Sequence, residues 1–217
     1  MESSHSRRLA PPDVLPLFPL AGALLLPGGQ LPLNIFEPRY LRMVDDALAG
    51  GRTIGMIQPR AGGDDGSPPL YSVGCAGRLT GFNETDDGRY LISLSGIRRF
   101  RLVAEVNAET PYRMAKVDYA EFGSDSGVDP TAEFIDRSRL EDAMRNYLYA
   151  EGLKTDWEAV GEAPSQALVV SLAMGCPFAP NEKQALLEAP DAASRADCLI
   201  ALMEMADGSD GGDTRLQ

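Results

Sequence analysis

The chain of 217 residues is 44% hydrophobic, enough to bury a sizeable core in one large domain or two small ones, which excludes a wholly disordered protein. Its formal charge of -12 disfavours nucleic acid as a partner, because phosphate contacts need clustered cations. Cys75, Cys176 and Cys198 are odd in number and far apart, poor material for a disulfide framework, and they fit a reducing compartment.

Residues 1–12 read as a loose tail. Arg7-Arg8 ahead of the apolar Val14 to Leu26 has the outline of a signal sequence. Pro16 and Pro19 break that run, no A-x-A pattern follows it, and it falls short of the roughly 20 apolar residues a membrane span needs. A cytoplasmic chain with no membrane partner is expected.

Two strands are expected at Asp13 to Leu20 and Gln30 to Phe36, with Gly28-Gly29 bending the chain between them. Pro38 suits the first position of a helix, and Phe36 and Leu41 then fall at the two places of a hydrophobic staple. Leu41, Val44 and Leu48 make its apolar stripe, and Gly50-Gly51 ends it as a left-handed cap.

Thr53 to Gln58 reads as a strand and Ala61 to Pro69 as an exposed loop. The repeated glycines of Tyr71 to Phe82 predict a strand that bends or bulges. Asp87-Gly88 turns into Tyr90, Ile92 and Leu94, which alternate with serines at the strand period. Ile97 to Val106 and Tyr112 to Tyr119 continue the β pattern, giving six or seven strands, which favours a curled sheet or small barrel.

Glu121 to Pro130 has linker chemistry and finishes with Asp129 as an N-cap and Pro130 at the first helical position. The remainder reads as helices. One carries the stripe Leu140, Met144, Tyr147 and Leu148; a short one covers Leu168 to Met174; one opens at Asn181 as a capping-box variant. The last opens at Asp191, with Leu199, Leu202, Met203 and Ala206 on one face. The organisation expected is a β-rich unit over 13–122, a helical bundle over 123–207 and a frayed tail over 208–217, an α+β class.

Catalytic chemistry is hard to place. The only lysines, Lys116, Lys154 and Lys183, follow no glycine, which excludes a P-loop, and none has a serine motif beside it. His5 is the single histidine, so neither a Ser-His-Asp triad nor a histidine-bearing zinc site is expected. Acid pairs such as Asp45-Asp46, Asp64-Asp65, Asp86-Asp87 and Glu141-Asp142 fall on helix faces or turn tips, where solvated acids are the rule. Ile97-Arg98-Arg99-Phe100-Arg101 has two readings. It is either a basic, aromatic-interleaved patch, with Arg78 and Arg113 nearby, for an acidic ligand or RNA, or a sheet-edge strand whose outward arginines discourage pairing. The second is favoured.

Taken together, L-P-L-F-P-L at Leu15 to Leu20, P-L-N-I-F-E-P-R-Y at Pro32 to Tyr40, V-G-C-A-G-R-L-T at Val73 to Thr80 and S-G-I-R-R-F-R-L at Ser95 to Leu102 resemble the N-terminal substrate-binding domain of ATP-dependent Lon proteases. N-E-K-Q-A-L-L-E at Asn181 to Glu188 and the segment Arg195 to Leu202 resemble that domain's end. The resemblance implies a β-rich, PUA-like pseudo-barrel followed by a helical bundle, holding unfolded or degron-bearing polypeptides. The family's ATPase and Ser-Lys peptidase domains have no counterpart here, so the expectation is a non-catalytic recognition or adaptor module without cofactor, acting beside a separate protease in one version of that role. An RNA-binding PUA-like domain is the alternative.

The expected peptide site lies between the apolar segment and the first helix, with Leu24, Leu25, Leu26, Leu31, Leu33, Phe36 and Tyr40 as contacts and unpaired strand backbone beside them. Arg78, Arg98, Arg99 and Arg101 are the candidate basic patch.

Overall fold

The structure, a computed structural model, describes residues 11–62 and 68–210. Of the expected tails, 1–12 and 208–217, residues 1–10 and 211–217 lie outside the described residues, as does the Asp64-Asp65 pair, while 208–210 continue the last helix. Pro11 is buried and the Tyr119 hydroxyl donates to the Pro12 carbonyl at 2.9 Å, so these two prolines are tied to the fold.

Among the described residues six strands form one sheet: β1 (Val14–Pro19), β2 (Gln30–Ile35), β3 (Thr53–Pro59), β4 (Leu70–Glu84), β5 (Tyr90–Val106) and β6 (Met114–Asp118). Their order is β2-β5-β4-β3-β1-β6, and β6 pairs a second time, with β5. The pairing path therefore returns to β5, whose first half holds β2 and whose second half holds β6. The two segments expected at Tyr90 to Ser95 and Ile97 to Val106 are a single strand. Register shifts between Ala76 and Gly77 and between Leu102 and Ala104 supply the bends that let one strand serve both ends of the sheet.

Glycines in β3 and β4 make room for one ring. A Cβ on Gly74 would stand 2.6 Å from the Met56 carbonyl oxygen and 2.9 Å from Phe100 Cε2, and one on Gly55 would meet the same ring at 3.2 Å. Phe100 fills that space and centres a small cluster with Leu15, Leu17, Ile57, Ala76 and Val117.

Helix α1 (Pro38–Ala49) begins at Pro38 as expected, behind Glu37. Its buried face is Tyr40, Met43, Val44 and Ala47, one position out of phase with the expected stripe; Leu41 and Leu48 flank it, half-buried. Phe36 is 63% exposed and packs on no described core cluster, so the staple is not formed. The left-handed residue after the helix is Arg52 (φ 54), not a glycine; its N–H reaches the Ala47 carbonyl at 2.9 Å.

The expected linker is two 3-10 segments, Ala120–Ser126 and Pro130–Phe134, and it is anchored by the buried Phe122. Asp129 caps the second, accepting from Thr131 N–H, with Pro130 next. Among the described residues five helices follow: α2 (Arg137–Ala150), α3 (Trp157–Glu162), α4 (Ser165–Gly175), α5 (Pro180–Glu188) and α6 (Ala192–Asp210). The Leu140 stripe of α2 is buried as expected. Asn181 is the second residue of α5 rather than its start; Glu182 still reaches back, accepting from Ala179 N–H at 2.7 Å. One hydrophobic cluster takes in Leu24, Ile54 and Leu79 from the sheet side and Leu140, Leu168 and Leu199 from the helices.

Candidate functional site

Helix α4 is largely apolar, with Ser165, Gln166 and Ser171 as its polar side chains. Leu168, Val169 and Ala173 are buried. A helix this rich in apolar residues is usually covered on most sides, and here a second face, Ser171 among its residues, opens on a groove of about 950 Å³. Ala167, Val170, Ser171 and Met174, spaced at the helical repeat, form one wall. Pro27 to Pro32, from the turn before β2 and its first residues, form the facing wall, and Gly127 and Val128 between the two 3-10 segments, with Ala132 and Glu133 of the second, close one end.

The turn before β2 is brought up to α4 by two glycines. Gly28 takes φ 80 and its N–H donates to the Gly96 carbonyl at 3.0 Å, while Gly96 N–H donates to Gly29 at 2.9 Å. A Cβ on Gly29 would overlap the Met174 thioether, so the missing side chain at position 29 lets the two walls meet without displacing Met174.

Beyond the groove β2 presents an edge. The bond from Gly96 to Gly29 sets the alternation, so Leu31, Leu33 and Ile35 turn their backbone groups toward β5 and Gln30, Pro32 and Asn34 turn theirs outward. Pro32 therefore removes a donor from the outward row, which interrupts strand addition along it.

Four of the expected peptide contacts are core. Leu24, Leu25 and Tyr40 are at most 6% exposed and Leu26 is fully buried, because the turn before β2 folds onto α1 and the sheet instead of lying over them. Tyr40 packs its ring 4.4 Å from that of Phe18, and burial pushes its hydroxyl pKa up. Of the others, Leu31 lines the groove, Leu33 is half-buried further along β2, and Phe36 stands in solvent past its end.

The basic patch is dispersed. Arg99 is 1% exposed: its guanidinium holds Asp125 at 2.8 Å and the carbonyls of Leu187 and Pro190 at 3.0 and 3.1 Å, under the ring of Phe122. Arg98 bonds Ser126, Arg101 pairs with Glu121 at 2.6 Å, and Arg113 pairs with Glu105. Arg78 is half-buried within β4. Arg195, buried beside Arg99, donates to Leu186 and Ala189 carbonyls; burial, then the Arg99 charge, pushes its pKa down to about 10. This is structural stitching between sheet and helices, which sequence alone did not disclose.

Buried amides join the same two halves. Gln58 Nε2 donates to the Pro180 carbonyl at 2.9 Å and its Oε1 accepts from Gly22 N–H at 3.0 Å, while Gln184 Nε2 donates to the Val73 carbonyl at 3.1 Å. Lys183 is buried with Nζ 3.3 Å from the Met174 carbonyl, and desolvation lowers its pKa. Among the described residues no group of three His, Cys, Asp or Glu side chains is placed to hold a metal ion, and no helix is long and apolar enough to cross a membrane.

The groove's contacts come from three distant stretches of chain, which hid it from sequence reasoning; the high apolar content of α4 was the one legible signal.

The sequence model of the ATP-dependent protease La (LON) substrate-binding domain matches residues 14–205. Lon protease 2 of Myxococcus xanthus is 29% identical over 88% of the chain, and Lon protease of Anaeromyxobacter dehalogenans is 33% identical over 51%. The chain covers only 24% and 13% of the lengths of those two relatives. The crystal structure of a Lon N-terminal domain protein from Xanthomonas campestris superposes with a TM-score of 0.59 at 26% identity, covering 87% of this chain and 97% of that one. The N-terminal domain of Mycobacterium avium complex Lon protease shares the fold, with a TM-score of 0.64 at 17% identity over 88% and 98% of the two chains. The chain belongs to the ATP-dependent protease La (LON) substrate-binding domain family.

Proposed function

We propose that the chain is a non-catalytic recognition module that holds unfolded or degron-bearing polypeptides, with the groove between α4 and the turn before β2 as its binding site. Its partners are polypeptide segments and, in an adaptor role, a separate protease; the compartment is the cytoplasm. The curling of the sheet back onto β5 is read as the PUA-like pseudo-barrel of that module. The observation that carries the site is the groove itself: its volume is at the upper end of the range that encloses a drug-sized ligand, which suits a few side chains of an extended segment. Its walls are apolar, while Gln30, Ser165, Gln166 and Ser171 offer neutral groups to a peptide backbone. Proline in β2 shifts the weight of recognition from strand addition to apolar pockets.

Ala167 is an exposed position of α4 on the groove wall, so Ala167→Trp fills the groove without entering the core. Fluorescence anisotropy with labelled, denatured casein is expected to show binding weakened at least about ten-fold by this change, while Ala201→Trp, on an exposed face of α6, leaves it intact. Equal binding by wild type and Ala167→Trp, both folded by circular dichroism, would overturn the site.

A further inference from the structure

The groove carries one charge. Among the described residues Glu133 is the single ionisable one on its lining, and no described lysine, arginine or histidine joins it there. Cations near the rim are engaged elsewhere. Arg98 bonds Ser126 next to Gly127, and Arg137, close to Pro164, is held by Glu141 and by the carbonyls of Val160 and Ala163. Lys183 approaches Met174 from behind, inside the core. Glu133 is exposed and enters none of the described ion pairs, and beside it Val128 stands 86% exposed at the groove mouth. The whole chain adds a field of -12.

From this we infer that the groove selects by charge as well as by apolarity: its occupant is an extended apolar segment flanked by lysine or arginine, and segments flanked by acids are rejected. The inference rests on the groove reading above and names the class of peptide it takes. An apolar side chain seats between α4 and Pro27 to Pro32, and a basic neighbour lies over the 3-10 segment, where Glu133 can meet it. The same absence of cations on the lining leaves an anionic ligand, phosphate or acidic peptide, with no counter-charge in the site.

The test uses three labelled peptides with one Leu-Val-Leu-Val centre and flanks of lysine, glutamine or glutamate, titrated against the full chain at low and high salt. Wild type is expected to bind the lysine-flanked peptide about five-fold more tightly than the glutamate-flanked one, a preference that shrinks in high salt. Glu133→Lys is expected to cut that preference to about two-fold or less. Equal affinity for the two charged peptides, or a preference that Glu133→Lys does not change, overturns the charge selection and leaves the groove standing. Failure of all three peptides to bind, or binding that Ala167→Trp does not weaken, overturns the groove reading and this inference with it.

Discussion

Arg99 and Arg101 sit two apart on β5, so strand alternation sends both to the same side of the sheet, yet one is buried and the other nearly half exposed. The difference is what lies over them. The segment Ala120–Ser126 and the end of α5 cover Arg99 and give it a carboxylate and backbone carbonyls, matching the planar fork of donors that only arginine offers. Replacing Arg99 strands Asp125 as a buried, unpaired charge. Arg99→Met is expected to cost about 3–5 kcal/mol in urea unfolding, and Arg101→Met, whose pair with Glu121 is solvated, less than about 1 kcal/mol. A double cycle with Asp125→Leu should return part of the loss, because removing both charges also removes the desolvation cost. Equal losses at positions 99 and 101 would contradict the burial argument.

At the scale of elements, Asp129 fastens the chain between sheet and helices twice. One carboxylate oxygen accepts from Thr131 N–H at 2.9 Å and the other from Ala192 N–H at 2.9 Å, at the start of α6. Burial alone raises its pKa, but the bonds from Thr131 and Ala192 outweigh it and hold the carboxyl below the ordinary value. A group lowered in the folded state stabilises fully above its unfolded pKa of about 4 and loses that contribution as pH falls through the folded value. Asp129→Asn turns an amide donor toward one of the two N–H groups, so it is expected to lose about 0.5–2 kcal/mol at neutral pH. The gap from wild type, followed by thermal melts, should close below about pH 4. A gap that stays constant with pH would assign the loss to packing. The Asp129-Pro130 signal was readable from the sequence because a cap is a local device. The strands were readable for the same reason, through alternation at Tyr90, Ile92 and Leu94. The burial of Leu24 to Leu26 was not, because an apolar run reads alike whether the chain folds over it or leaves it open. Nor was the face of α1, where Tyr40 and Met43 displaced Leu41 and Leu48 once the sheet set the helix's rotation.

For the whole molecule the question is whether sheet and helices are one folding unit. The sequence divides them near residue 122, where composition changes. The packing opposes a clean division. A single hydrophobic cluster crosses that line, and so do the bonds from Arg99 to the Leu187 carbonyl, from Gln58 to Pro180 and from Gln184 to Val73. Separating the halves exposes this shared apolar surface and leaves these buried polar groups without partners, a cost paid by neither half alone. Unfolding is therefore expected in one transition. Two cysteines report on it from either side: Cys75 in β4 and Cys176 after α4 are both buried, and burial raises both thiol pKa values, that of Cys176 to about 11, so neither reacts readily in the folded state. Thiol labelling across a urea series, with the two sites resolved by mass spectrometry, should give the same midpoint for Cys75 and Cys176. Arg99→Met should lower both midpoints together. Cys176 reacting at a urea concentration where Cys75 is still protected would show that the helices open first and that the groove, which needs walls from both halves, is lost while the sheet survives.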